Sequence, residues 1–84
     1  MHEASLMEDL MRRIDDEARA HNATRVTWLK VRLGPSDHLS PEHFRHHFRQ
    51  AAAGTIAENA ELEIVEEPSA PAESVVLESL TLGV

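Results

Sequence analysis

The sequence predicts an α/β chain of the α+β kind: two helices packed on one face of a small three-stranded mixed sheet, in the order α-β-α-β-β. Three observations carry this. Apolar residues recur at helical spacing between Leu6 and Ala20, and again after Ser40-Pro41. VTWLKVRL, from Val26 to Leu33, alternates apolar and polar residues as a half-buried strand does. Two later runs, AELEIVE and VVLESLTL, have strand composition without a helical stripe.

The first helix is expected over Leu6–Ala20. Leu6, Leu10, Ile14 and Ala18, with Met7 and Met11 beside them, form its apolar stripe, and Glu8, Asp9, Arg12, Arg13, Asp15 and Asp16 occupy the other faces. Ser5 and Glu8 match a capping box, which would leave Met1, His2 and Glu3 outside the regular helix. Asn22 and its neighbours end it. In the strand that follows, Leu29, Val31 and Leu33 share one face and Trp28, Lys30 and Arg32 the other, and Gly34-Pro35 breaks it. Trp28 on the outward face is a candidate anchor for a partner.

The second helix has Ser40 as N-cap, Pro41 at the first helical position and Glu42 at the positive end of the dipole. Leu39 and Phe44 suit a hydrophobic staple. Phe44, Phe48, Ala51 and Ala52 form the buried stripe, and Gly54 suits the stop. Ala60–Glu66 then places Leu62 and Ile64 on one face of a second strand. Val75–Leu82 makes a third, in which Leu77 is out of phase with Leu80 and Leu82 unless a bulge falls near Glu78. A right-handed crossover would join strands one and two, and a return through PSAPAES (68–74) would set strand three antiparallel to strand two.

Eighty-four residues fit one domain, which buries roughly 60–65% of the surface its unfolded chain exposes. Eight Lys and Arg against fifteen Asp and Glu give a net charge of −7, which argues against nucleic-acid or anionic-membrane partners. The absence of cysteine excludes a disulfide framework and a Cys-type zinc site within these residues, and it fits a cytoplasmic home. No apolar run approaches the roughly 20 residues that span a bilayer. The opening residues lack the pattern of a secretory signal. No nucleophile elbow, phosphate loop or Ser/Cys-His constellation is present, so enzymatic chemistry is not expected.

Six histidines are the compositional oddity. His43, His46 and His47 in HFRHHF lie three and four residues apart on the second helix, so pairs can meet on one side and form a possible secondary metal site. The plainer reading is a solvated face beside Arg45 and Arg49. His21, at a helix end, is accounted for by the dipole, and His38 is a lone loop residue.

MHEASL, VTWLKVRLG, SPEHFRHHF, AGTIAENAELEI and VLESLTL, in that order, resemble hydrogenase nickel-insertion accessory proteins of the HypA/HybF type. The matching landmarks are Met1, His2, Glu3, Ser5, Leu6, Gly34, Pro41, Glu42, Phe48, Gly54, Thr55, Leu62, Ile64 and Pro68. The resemblance implies a non-enzymatic nickel metallochaperone acting in [NiFe]-hydrogenase maturation. It implies as partners a maturation GTPase of the HypB type and the hydrogenase large subunit. It also places the nickel site at Met1, His2 and Glu3, where the α-amino group, backbone amide nitrogens and the His2 imidazole can wrap one ion in fused chelate rings. Nitrogen donors in a plane suit Ni(II) or Cu(II).

The departures from the family are specific. Relatives carry a zinc-binding insert with two Cys pairs between the second and third strands. Here the short linker 68–74 takes that place, and no zinc is expected. Pro35, Ser36 and Asp37 stand where relatives tend to have a Leu-Ser pair. A shortened paralogue acting as an adaptor module without metal delivery is therefore the alternative. Oligomeric state is left open.

Overall fold

The computed structural model describes the backbone from residue 3 to residue 84 and the side chains from residue 5 onward. Its elements are α1 (Glu3–Ala20), β1 (Arg25–Leu33), α2 (Pro41–Ala52), β2 (Glu61–Glu66) and β3 (Val75–Gly83). The element order and the mixed three-stranded sheet agree with the sequence expectation.

α1 begins three residues earlier than expected. Glu3 and Ala4 are good helix formers, so nothing stops the helix at Ser5. Ser5 is therefore a helical residue and not a cap, and the predicted capping box does not form. The buried stripe is Met7, Leu10, Ile14 and Ala18; Leu6, expected in it, is only half-buried. The helix ends in a Schellman motif. The Ala23 N–H donates to the Ala18 carbonyl and Asn22 N–H to Arg19 (2.8 and 3.1 Å), with Asn22 left-handed at φ 54°.

α2 is capped as expected, the Ser40 hydroxyl accepting from the His43 N–H at 3.2 Å. Phe44, Phe48 and Ala52 are fully buried, and Leu39 joins the same core. A type II turn follows. Ala53 has φ −58° and ψ 128°, Gly54 has φ 79°, and the Thr55 N–H donates to the Ala52 carbonyl.

The strand order is β2-β1-β3, with β1 parallel to β2 and antiparallel to β3. The third strand does run opposite to the second, but it pairs with the far edge of β1. The reason is visible at the rim: Leu33 is opposite Glu66 on one side and Val75 on the other. The chain between them must span two strand spacings, about 10 Å, and eight residues reach that easily. Placing β1 in the centre buries Leu29 and Val31 completely.

The bulge falls where the phase of β3 requires it. Lys30 pairs with Ser79 and Val31 with Leu77, so Glu78 is the extra residue. Leu77, Leu80 and Leu82 thereby all pack against the core, and the Glu78 carboxylate swings out to accept from Arg32 Nη2 at 2.6 Å. Thr27 is a second extra residue, on β1. Among the described residues no helix covers the opposite face of the sheet, which bears Trp28, Lys30 and Arg32; Trp28 is half-buried there.

The connection 67–74 crosses the end of β1 at Gly34. The Gly34 N–H donates to the Ser74 carbonyl at 2.9 Å, and a Cβ on Gly34 would overlap the Pro71 carbonyl oxygen and Ser74 Oγ. Ser36 Oγ donates to Glu73, and the Glu73 N–H donates to the Pro35 carbonyl, fastening the loop before α2 to the same connection. Glu67 Oε2 accepts from the Ser69 hydroxyl and N–H at 2.7 and 3.3 Å. Those bonds, helped by Arg32, hold its carboxyl below the ordinary glutamate range.

Gly34→Ala is expected to cost about 1–3 kcal/mol through overpacking, lowering the urea midpoint and Tm; an unchanged midpoint would contradict the crossing geometry. For Glu67 the folded pKa lies below the unfolded one. Its stabilising contribution is thus present above the ordinary glutamate range and is lost as pH falls through the folded value. In a carboxyl-detected NMR titration Glu67 should titrate below the usual range, and Ser69→Ala should move it upward.

Candidate metal site

The sequence places its metal candidates in two groups. Of the first, Met1 and His2 lie outside the described residues. Glu3 lies within α1 as its first residue, which corrects the expectation that it precedes the helix.

The second group is on α2. His43 and His47 lie with ring centroids 4.5 Å apart and planes tilted by 55°. His46 meets His47 edge-on at 5.9 Å and is exposed. His43 is exposed, whereas His47 is half-buried. His47 shares a shallow cleft with Met7, Glu8 and Met11 of α1 and with Gln50 and Ala51 of its own helix. His47 thus adjoins α1. Among the described residues, no three His, Asp or Glu side chains are gathered to hold one ion.

Sequence reasoning set Arg45 and Arg49 beside the histidines as fellow members of a solvated face. Both are exposed, as expected, and each also reaches the sheet. Arg45 Nη1 donates to the Leu62 carbonyl at 2.8 Å and Arg49 Nη1 to the Ala60 carbonyl at 2.7 Å, along the edge of the sheet. No local pattern announces such bonds, since they depend on where β2 packs. The remaining histidines are elsewhere: His21 faces Glu17 at 3.7 Å on α1, and His38 lies in the loop, its N–H donating to Ser36 Oγ.

The family model described as hydrogenase/urease nickel incorporation, metallochaperone, hypA matches residues 1–72. The chain belongs to the HypA family. Its relatives include the hydrogenase maturation factors HypA of Methylocella silvestris, 42% identical over 64 residues, and of Beijerinckia indica, 39% identical over 70. These alignments cover 76% and 83% of this chain but 57% and 62% of the relatives, so the chain spans about three fifths of their length. The family match ends inside the 67–74 connection.

The fold agrees with that membership. The solution structure of the nickel metallochaperone HypA from Helicobacter pylori superposes with a TM-score of 0.69 at 18% identity. It covers 99% of this chain and 97% of that one. A further HypA solution structure gives 0.66 at the same identity. Among the described residues, no helix is long and apolar enough to cross a membrane.

Proposed function

We propose that this chain is the nickel-handling module of a hydrogenase-maturation metallochaperone, taking Ni(II) as cargo at Met1, His2 and Glu3. The observation that carries the reading is that the match to a nickel-incorporation family begins at Met1 itself, on the Met-His-Glu sequence. The donors would be the α-amino group, backbone amide nitrogens and the His2 imidazole. The Glu3 carboxylate would orient the chelate from outside the donor set.

The helical position of Glu3, in the first described turn of α1, suits this chemistry. Amide nitrogens bind nickel only after losing their protons, so the chelate carries negative charge on its backbone donors. The positive end of a helix dipole favours such charge. A planar nitrogen set selects Ni(II) or Cu(II) over zinc, and delivery to the right enzyme would then come from protein partners. For those we propose the maturation GTPase and the hydrogenase large subunit, in the cytoplasm. The chain would have no catalytic role of its own. The adaptor alternative, without metal traffic, is not favoured, because the matching family is described by nickel incorporation. The 68–74 linker would occupy the place of the family's zinc-binding insert; these residues contain no cysteine with which to build one.

The terminal amine has a reference pKa of about 7.7–8.0 and the imidazole about 6.5, and both must be deprotonated to bind. Nickel affinity of protein starting at Met1 should therefore fall steeply between pH 8 and pH 6. One added residue before Met1, or His2→Ala, should weaken the tight site at least tenfold in a calorimetric titration. Equal affinity of the extended and Met1-starting proteins would refute the terminal chelate.

A further inference from the structure

We infer that the outer edge of β3 is an interface for a second copy of this chain, the two β3 strands pairing antiparallel about a two-fold axis beside Thr81. In the order β2-β1-β3 both outer strands present an edge, and the molecule treats the two differently. Along β2 the Arg45 and Arg49 guanidiniums occupy the Leu62 and Ala60 carbonyls, which blunts that edge against another strand. Among the described residues no side chain caps the outer backbone edge of β3, and β3 is the longer strand, with 9 residues against 6.

The groups along that edge can be assigned. Thr81 and Gly83 turn their carbonyls towards β1, where Thr27 Oγ1 and the Thr24 N–H donate to them at 3.3 and 2.9 Å. Successive residues of an antiparallel strand direct their backbone groups to alternate sides, so Leu80 and Leu82 present theirs outward. Ser79–Gly83 lies beyond the Glu78 bulge and has no extra residue of its own, which suits a regular partner. Pairing about Thr81 sets Leu80 of each copy opposite Leu82 of the other and satisfies the outward groups of both.

The side chains fit the same occupant. Leu77, Leu80 and Leu82 line the inner face of β3 and stay half-buried, and Arg13, Glu17 and His21 of α1 wall the groove above them. α1 runs in the direction of β3, because its end leads to Thr24 beside Gly83, so an axis that reverses β3 reverses α1 as well. Two strand residues back from Gly83 is about 7 Å, or roughly four to five helical residues, the level midway between Arg13 and Glu17. Among the described residues Arg13 has no ion pair, and Glu17 has only the exposed approach of His21 at 3.7 Å. The symmetric interface brings Arg13 of each copy to Glu17 of the other, so the charges beside the groove complement themselves. A foreign strand would have to supply that pattern; a second copy already carries it.

The test uses the full chain in buffer containing a chelator, so that no metal bridges copies and the outcome is independent of the terminal chelate. Sedimentation equilibrium should show a concentration-dependent dimer. Arg13→Glu and Glu17→Arg should each weaken it at least about tenfold by setting like charges together across the axis. A one-to-one mixture of these two variants should dimerise again, because each then meets the opposite charge in the other. Far-UV circular dichroism checks that α1 is intact in both. In the unaltered chain, amide hydrogen exchange should slow at Leu80 and Leu82 as concentration rises, and not along the outer edge of β2. A chain that stays monomeric from micromolar to millimolar concentration would leave the edge to an extended segment of another protein and overturn the proposal. A dimer indifferent to both charge variants, or one that protects β2 instead, would overturn it equally.

Discussion

The packing of both helices against one face of β1 is the constraint from which the rest of the molecule follows. Leu29 and Val31 on the strand, Ile14 on α1, and Phe44 and Phe48 on α2 are each at most 1% exposed and belong to a single cluster. In a chain of this length that cluster is nearly all the core there is, and loss of any one large member would be expected to cost about 2–5 kcal/mol. Its geometric effect matters as much as its energy. Because both helices sit on the same face, α1 and α2 are neighbours, and the early turns of α1 adjoin the histidine-bearing side of α2. The sheet's other face is left to Trp28, Lys30 and Arg32. There the side chains in the ion pairs of Lys30 with Glu63 and of Arg32 with Glu67 and Glu78 are between 31% and 50% exposed, and such pairs contribute little stability singly.

Much of this could be read locally. Ser40-Pro41-Glu42 marked the start of α2 because a cap, a proline and an acidic residue each satisfy a different requirement of a helix N-terminus. The out-of-phase Leu77 called for a bulge near Glu78, and the register makes Glu78 the extra residue. What local pattern could not supply was anything set by long-range packing. The side of β1 on which β3 pairs depends on an eight-residue connection passing over Gly34, and alternation within β3 is the same on either side. The choice between Leu6 and Met7 for the inner stripe depends on the angle at which α1 crosses the sheet. Arg45 and Arg49 have the composition of solvated residues, and only the position of β2 reveals that they hold its edge.

The functional site divides in the same way. Met1, His2 and Glu3 became candidates through resemblance to a family, and the family itself is confirmed by a match over residues 1–72. The start of α1 was misjudged because Ser5-x-x-Glu8 satisfies a capping rule that Glu3 and Ala4 override by extending the helix. The histidine pair was legible as spacing alone; that Arg45 and Arg49 bond to the Leu62 and Ala60 carbonyls, and that His47 adjoins α1, came from the fold.

On this account the scaffold exists to hold a chain start whose nitrogens lie in one plane around nickel. The direct measurement is the electronic and NMR spectrum of Met1-starting protein loaded with one equivalent of Ni(II). A four-nitrogen planar complex should be diamagnetic, with a visible ligand-field band, sharp amide resonances, and shifts concentrated at His2 and the first turn of α1. A paramagnetic complex that broadens signals elsewhere and leaves residue 2 untouched would contradict it.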